Sequence, residues 1–339
     1  MRYCLLLLAA VLSSTADSRM PPAAVFAAVG VTADEAAAID AGRPVAKVLP
    51  WGDPSEVYVF GAVHVQGSRE IYLNAARDVR GLSGTPGYLG VGEFSSEVTP
   101  ADLRGLTFEP DDVKALKSCR EGACDVQLPT ASIQAFHDAV DFARPDAGDQ
   151  VSALAQSMFV RLVRSYQQGG HDTLGEYRDK QHPARVADQF VRMLDRASVL
   201  PDVLPDLRAY LLDYPRARLA NADSFFFWEK VDFGLKPTVR VNHGLVYRGR
   251  TEGREVGVVA IKQLYATHYF HTALDVTVCV DDAGDAGRGF YLLTIKGSQQ
   301  EGLTGVKGAI LRKIVVDRTR RSLETALAAI KRTVERASP

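Results

Sequence analysis

The sequence predicts an α+β fold: an antiparallel, curved sheet gripping a long C-terminal helix, with a helical insertion between strands. Three observations carry that expectation. Apolar residues alternate with a period of two near the start of the chain and again after Ser224. From about 130 to 222 the period is helical. Near the end, Leu323, Leu327, Ile330 and Val334 recur at offsets of four, three and four, which places them on one face of a helix. Strands joined by short links pair antiparallel, whereas a parallel sheet needs a long crossover after each strand.

The first residues predict export. Arg2, the apolar run Leu5 to Leu12 and small residues at Ser14 and Ala16 have the order of a secretory signal peptide over residues 1–16. A membrane span needs about 20 apolar residues, and Thr15, Asp17, Ser18 and Arg19 break the run. The expected location is therefore periplasmic or secreted. Residues 17–46 form an N-terminal segment in which Thr32 caps a short helix. The main domain is expected over 47–337.

The first convincing strand is Glu56 to Val65, with Val57, Val59, Val63 and Val65 on one face and Tyr58, Phe60 and His64 on the other. Ser68 caps a helix through Ile71, Ala75 and Val79. Gly87 to Phe94 reads as a second strand. In the helical block, Val151, Leu154, Ala155, Met158, Phe159, Leu162, Val163 and Tyr166 make one broad apolar stripe. Phe225 to Phe233 and Thr238 to Tyr247 are two strands whose link, Gly234 to Pro237, suits a hairpin. Val256 to Val280 is extended but too long for one straight strand, so a bend or a turn near His271 to Leu274 is expected. Gly289 to Lys296 is the last strand.

Composition excludes several classes of function. Lys+Arg 40 against Asp+Glu 41 leaves no global field that would favour nucleic acid. Cys119 and Cys124 flank a short glycine-containing loop, the arrangement of a local disulfide in an oxidising compartment. Cys279 lies in an apolar strand and reads as a buried thiol. No nucleophile elbow, phosphate loop or dinucleotide fingerprint is present. His268 and His271 lie three apart on a strand, on opposite faces, so they do not share a metal without a bulge. Glu93, Glu229 and Asp275 are expected on the solvated face of their strands. No cofactor is implied.

The element order resembles the START/SRPBCC helix-grip superfamily, whose members bind lipids, sterols and other apolar molecules. The stretches that carry the resemblance are Val57 to Val65 with the following Ser68-Arg-Glu-Ile-Tyr-Leu helix, Gly289 to Gly297, and Leu303 to Arg312 running into the C-terminal helix. The block at about 130–222 departs from the compact family pattern and is read as an insertion. The resemblance implies a cavity between sheet and helix. Its expected lining includes Phe225, Phe227, Trp228, Tyr265, Leu323, Leu327 and Ile330. Tyr58-Val-Phe-Gly-Ala-Val-His64 is also similar to the strand end of TraB/GumN-type metallohydrolases, with Ala62 in place of their Thr and without a Gly-Asn-x-His-like partner downstream.

The expected function is non-catalytic binding or transfer of an apolar small molecule or lipid, with peripheral membrane contact admitted. Two alternatives stand beside it: a hydrolase using sheet histidines and carboxylates, and an envelope interaction module without a small ligand.

Overall fold

The computed structural model describes residues 22–50, 52–196, 205–234, 236–251, 254–282 and 289–338. The expected signal peptide at 1–16 lies outside them. The N-terminal part contains α1 (Ala23–Ala28), α2 (Ala33–Asp40) and β1 (Val45–Leu49), then β2 (Glu56–Gln66), α3 (Arg69–Arg77) and β3 (Tyr88–Glu93). A helical stretch follows, with α4 (Pro110–Lys117), α5 (Thr130–Ala139) and α6 (Ala147–Gly169). A short hairpin, β4 (Glu176–Tyr177) and β5 (Ala184–Arg185), leads into α7 (Val186–Arg196) and α8 (Pro205–Asp213). The rest is β6 (Ala222–Val231), β7 (Thr238–Thr251), β8 (Arg254–Ala266), β9 (Phe270–Asp281), β10 (Gly289–Gln300) and α9 (Gly305–Ala337).

Local chemistry sets the first helices. Thr32 and Glu35 form a reciprocal capping box: the Thr32 hydroxyl accepts from the Glu35 N–H, and the Glu35 carboxylate accepts from the Thr32 N–H. Ser68 accepts from the Glu70 N–H and opens α3. In α6 the buried residues Val151, Ala155, Phe159, Val163 and Tyr166 recur every three or four positions, so one face of the helix meets the sheet.

The sheet has eight strands in the order β1-β2-β10-β9-β8-β7-β6-β3, and every neighbouring pair is antiparallel. It is open and curved. The long helix touches elements far apart in the strand order. Arg312 donates to the Pro54 and Glu56 carbonyls at the start of β2. Arg318 lies against Gly234 in the β6–β7 link.

Both faces of the sheet are covered. On one, Val57, Val59, Val63 and Val65 of β2 pack with Leu323, Leu327 and Val334 of α9. On the other, Tyr58, Phe60 and Ala62 pack with α1, α2, α7 and α8. Further along that second face, α5 and α6 cover Phe226, Trp228, Val241, Leu264 and Tyr265.

Three particulars differ from the sequence expectation. The turn between β8 and β9 is at Thr267–Tyr269, not His271–Leu274, and Tyr269 takes a left-handed conformation with φ 65. β1 is an edge strand that the alternation does not reveal. Glu229 is buried, not solvated, because Arg240 stands directly opposite it on β7 and pairs with its carboxylate at 2.5 Å, while the Asn242 amide donates to it at 3.0 Å.

The expected disulfide is present between Cys119 and Cys124, with Cα atoms 4.5 Å apart, and Cys279 is a buried free thiol. No described helix is long and apolar enough to cross a membrane.

Gly61 governs how closely α9 approaches the sheet. A Cβ there would stand 2.8 Å from Leu323 and 2.9 Å from Leu327. Gly61→Val should therefore lower unfolding stability by about 1–3 kcal/mol through overpacking, read by denaturant titration. Unchanged stability would show that the helix is loosely held. For the disulfide, thiol labelling of unfolded, unreduced protein should modify Cys279 and spare Cys119 and Cys124. Reduction should cost on the order of 2 kcal/mol, because the closed loop is short.

Candidate functional site

A cleft of about 380 Å³ lies between α5, α6 and β8. Its floor comes from a β-bulge. The β7–β8 register shifts between Val241 and Asn242, which pair with Tyr265 and Gln263 and leave Leu264 unpaired between them. Leu264 and Tyr265 consequently both turn to the helical side. Phe159 of α6 packs on Tyr265, with ring centroids 5.2 Å apart. Phe136 and Leu128 form one wall; Val186 and Tyr177 form another.

Polar atoms at the floor are already committed. The Tyr265 hydroxyl donates to the Gln127 carbonyl at 2.8 Å, and the Tyr177 hydroxyl accepts from the Ala266 N–H at 3.3 Å. Burial pushes both phenols up in pKa, so they stay neutral. The interior surface is thus mainly carbon. At the rim, Arg161 and Ser165 are exposed, one turn apart on α6. Arg161 has no ion pair with any described residue.

A second, smaller void of about 140 Å³ lies under α9. Leu323, Ala326, Leu327 and Ile330 form its roof; Val259, Ile261 and Leu292 form much of its floor. The Asp275–Lys296 ion pair lies at its side. An engineered apolar cavity of about 150 Å³ holds benzene, so this void is too small for a lipid.

The expected lining residues therefore divide among three places. Leu323, Leu327 and Ile330 line the small void. Tyr265 lines the large cleft on the opposite face. Phe225 and Phe227 pack with Leu73 of α3 and line neither space. Trp228 is buried below the helical stretch, where its indole N–H donates to the Asp102 carbonyl at 2.8 Å. The sequence reading missed Phe136, Met158, Arg161 and Leu162. The one available signal was the width of the α6 stripe, which exceeds what a single contact with a sheet requires.

A buried polar cluster lies beyond the Ser165 end of α6. Lys262 of β8 is fully buried. Its Nζ donates to the Leu211 carbonyl and to His171 Nδ1, each at 3.1 Å, and lies 4.0 Å from the centre of the Phe190 ring. His171 can accept because its Nε2 faces the Ala187 carbonyl at 2.8 Å and carries the proton. No carboxylate pairs with Lys262 among the described residues. Burial pulls its pKa down to about 7. His243, directly opposite on β7, is pushed down to about 3 by burial and by Lys262.

The Ser224 hydroxyl lies 2.8 Å from His243 Nε2, the contact on which a hydrolase reading would rest. Its chemistry opposes that role. A serine nucleophile needs an imidazolium to form and a carboxylate to stabilise it. Here Nδ1 faces the Tyr166 hydroxyl at 3.4 Å, and the nearby charge is a lysine.

The other histidines are apart. His64 pairs with Asp282 at 3.2 Å. His268 is clipped between Asp112 of α4 and the Asp125 carbonyl. His271 lies against the Tyr177 ring. No group of three or more His, Cys, Asp or Glu side chains placed to share a metal occurs among the described residues. No protein-family model matches the chain, and no curated protein is similar to it.

The Lys262 environment sets a pH dependence. The unfolded side chain titrates near the ordinary lysine value of 10.5 and the folded one is brought down to about 7. Between those values the unfolded chain binds more protons, so stability rises with pH, by up to about 1.4 kcal/mol per unit. Below about 7 the side chain is charged in both states, so folding carries the full cost of desolvating the ammonium. Lys262→Met should accordingly gain stability relative to the parent as pH falls from about 10 to about 6. Unfolding curves that stay parallel across that range would mean Lys262 titrates normally.

Proposed function

We propose that the protein binds an apolar small molecule with an acidic head group, without chemistry, in the cleft between α5, α6 and β8. One observation carries the reading: a cleft of about 380 Å³ with a largely carbon interior and, at its rim, an arginine, Arg161, that has no ion pair among the described residues. Ligand sites occupy roughly 300–1,000 Å³ and combine apolar walls with a few polar groups that fix orientation. Arg161 suits a carboxylate or phosphate because its planar fork can donate two parallel hydrogen bonds. Ser165, one turn further along α6, offers a hydroxyl beside it.

The sheet and long helix support the START-like resemblance, since a curved antiparallel sheet with a C-terminal helix against one face is the arrangement it implies. The proposed site, however, lies on the face covered by the helical insertion and not under α9. The Cys119–Cys124 disulfide supports a periplasmic or secreted location, where such bonds persist.

A fluorescent long-chain fatty acid serves as the probe, with its methyl ester as the uncharged control. The acid should bind and the ester should bind more weakly. Leu162→Trp, a half-buried position on the cleft wall, should abolish binding of both by filling the space. Arg161→Gln should remove most of the preference for the acid, on the order of tenfold, as expected for losing a charge-assisted contact. Native mass spectrometry would show whether a ligand copurifies. Absence of probe binding to the parent, or binding indifferent to Leu162→Trp, would refute the proposal.

A further inference from the structure

The N-terminal half of α9 leaves an aliphatic patch uncovered. Ile310 is 66% exposed, Leu311 36% and Ile314 46%. The same helix buries Leu323, Leu327 and Val334 against the sheet, so the patch belongs to its outward side. Arg312 fixes that orientation, because it points the other way and is held by the Pro54 and Glu56 carbonyls.

The charge around the patch says what covers it. Each helical residue advances by about 100°. Ile310, Leu311, Ile314, Arg318 and Arg321 therefore fall within an arc of about 100°, one outward stripe that is aliphatic first and basic afterwards. Arg318, Arg321 and Lys313 on its flank are all exposed. From Ile310 to Arg321 the helix carries five basic residues and one acid, Asp317. The rest of the chain must balance this, since the whole has a net charge of −1. This segment is thus more basic than the chain as a whole.

We propose that this stripe docks the protein on an anionic lipid surface, with Ile310, Leu311 and Ile314 entering the acyl boundary and Lys313, Arg318 and Arg321 meeting lipid phosphates. An amphipathic basic helix lying on a membrane uses this combination of exposed aliphatics and flanking cations. A second copy of the chain fits less well. A two-fold contact would bring two like-charged stripes together. The docking does not depend on the cleft under α6, because the two lie on opposite faces of the sheet.

The test is flotation of the full chain with vesicles of phosphatidylcholine alone and of phosphatidylcholine with about one third phosphatidylglycerol. Three cations near a charged surface, at about 1 kcal/mol each, correspond to a partition roughly a hundredfold stronger on the anionic vesicles. High salt should remove that preference. Ile310→Asp with Ile314→Asp, and separately Lys313→Glu with Arg321→Glu, should each abolish binding. All four positions are exposed, so unfolding midpoints should be unchanged. The proposal is overturned if the parent fails to float with anionic vesicles at low salt. It is also overturned if the Ile310/Ile314 double variant binds as well as the parent. A concentration-dependent dimer lost in that variant, without vesicle binding, would assign the stripe to a second copy and overturn it too.

Discussion

The structure depends on one constraint: the central strands have two apolar faces, and each must be covered. In β2, Val57, Val59, Val63 and Val65 face one way, Tyr58, Phe60 and Ala62 the other, and all are buried. A sheet with one solvated face would need only the long helix. This one also needs a second layer, which α1, α2, α7 and α8 supply near β2 and α5 and α6 supply further along. The helices between β3 and β6 therefore complete the core and are not an ornament on it.

The parts of this arrangement that rest on local periodicity were legible in the sequence. The two faces of β2, the caps at Thr32 and Ser68, the opposed aromatic pairs of Phe225 to Trp228 and the buried face of α9 all follow from spacing along one element. What escaped depends on partners far away in sequence. Glu229 looks like a surface carboxylate until Arg240 is placed opposite it by strand register. Tyr265 and Leu264 look like residues on opposite faces until a bulge turns both to the same side. The position of the β8–β9 turn escaped for a different reason: it needs a left-handed Tyr269, and tyrosine gives no signal for that conformation.

The buried lysine is best understood as a tether. Lys262 joins β8 to the carbonyl of Leu211 in α8 and to His171 in the turn after α6. Both acceptors belong to the second layer, so one side chain ties two of its pieces to the sheet. The aromatic rings of Phe190 and Tyr166 face the ammonium and offset part of its desolvation. A carboxylate would bind the cation more strongly, but it would bring a second buried charge with its own desolvation cost. With neutral acceptors and no carboxylate beside it among the described residues, burial brings its pKa down to about 7.

The size of the residues on the sheet surface explains why open space occurs where it does. Under α9 the central contact is Gly61, and the absence of a side chain there lets Leu323 and Leu327 come down onto the strand. The layer closes and leaves only about 140 Å³. Under α6 the corresponding contact is Phe159 on Tyr265, two large rings that separate helix from sheet, and the bulge adds Leu264 beside them. Rings hold the layers apart at one level but do not fill the space on either side of themselves. Wall residues Phe136, Met158 and Leu162 border that space without closing it, and about 380 Å³ remains. Helix–sheet spacing set by glycine on one face and by tyrosine on the other thus determines on which side of this sheet the larger space remains.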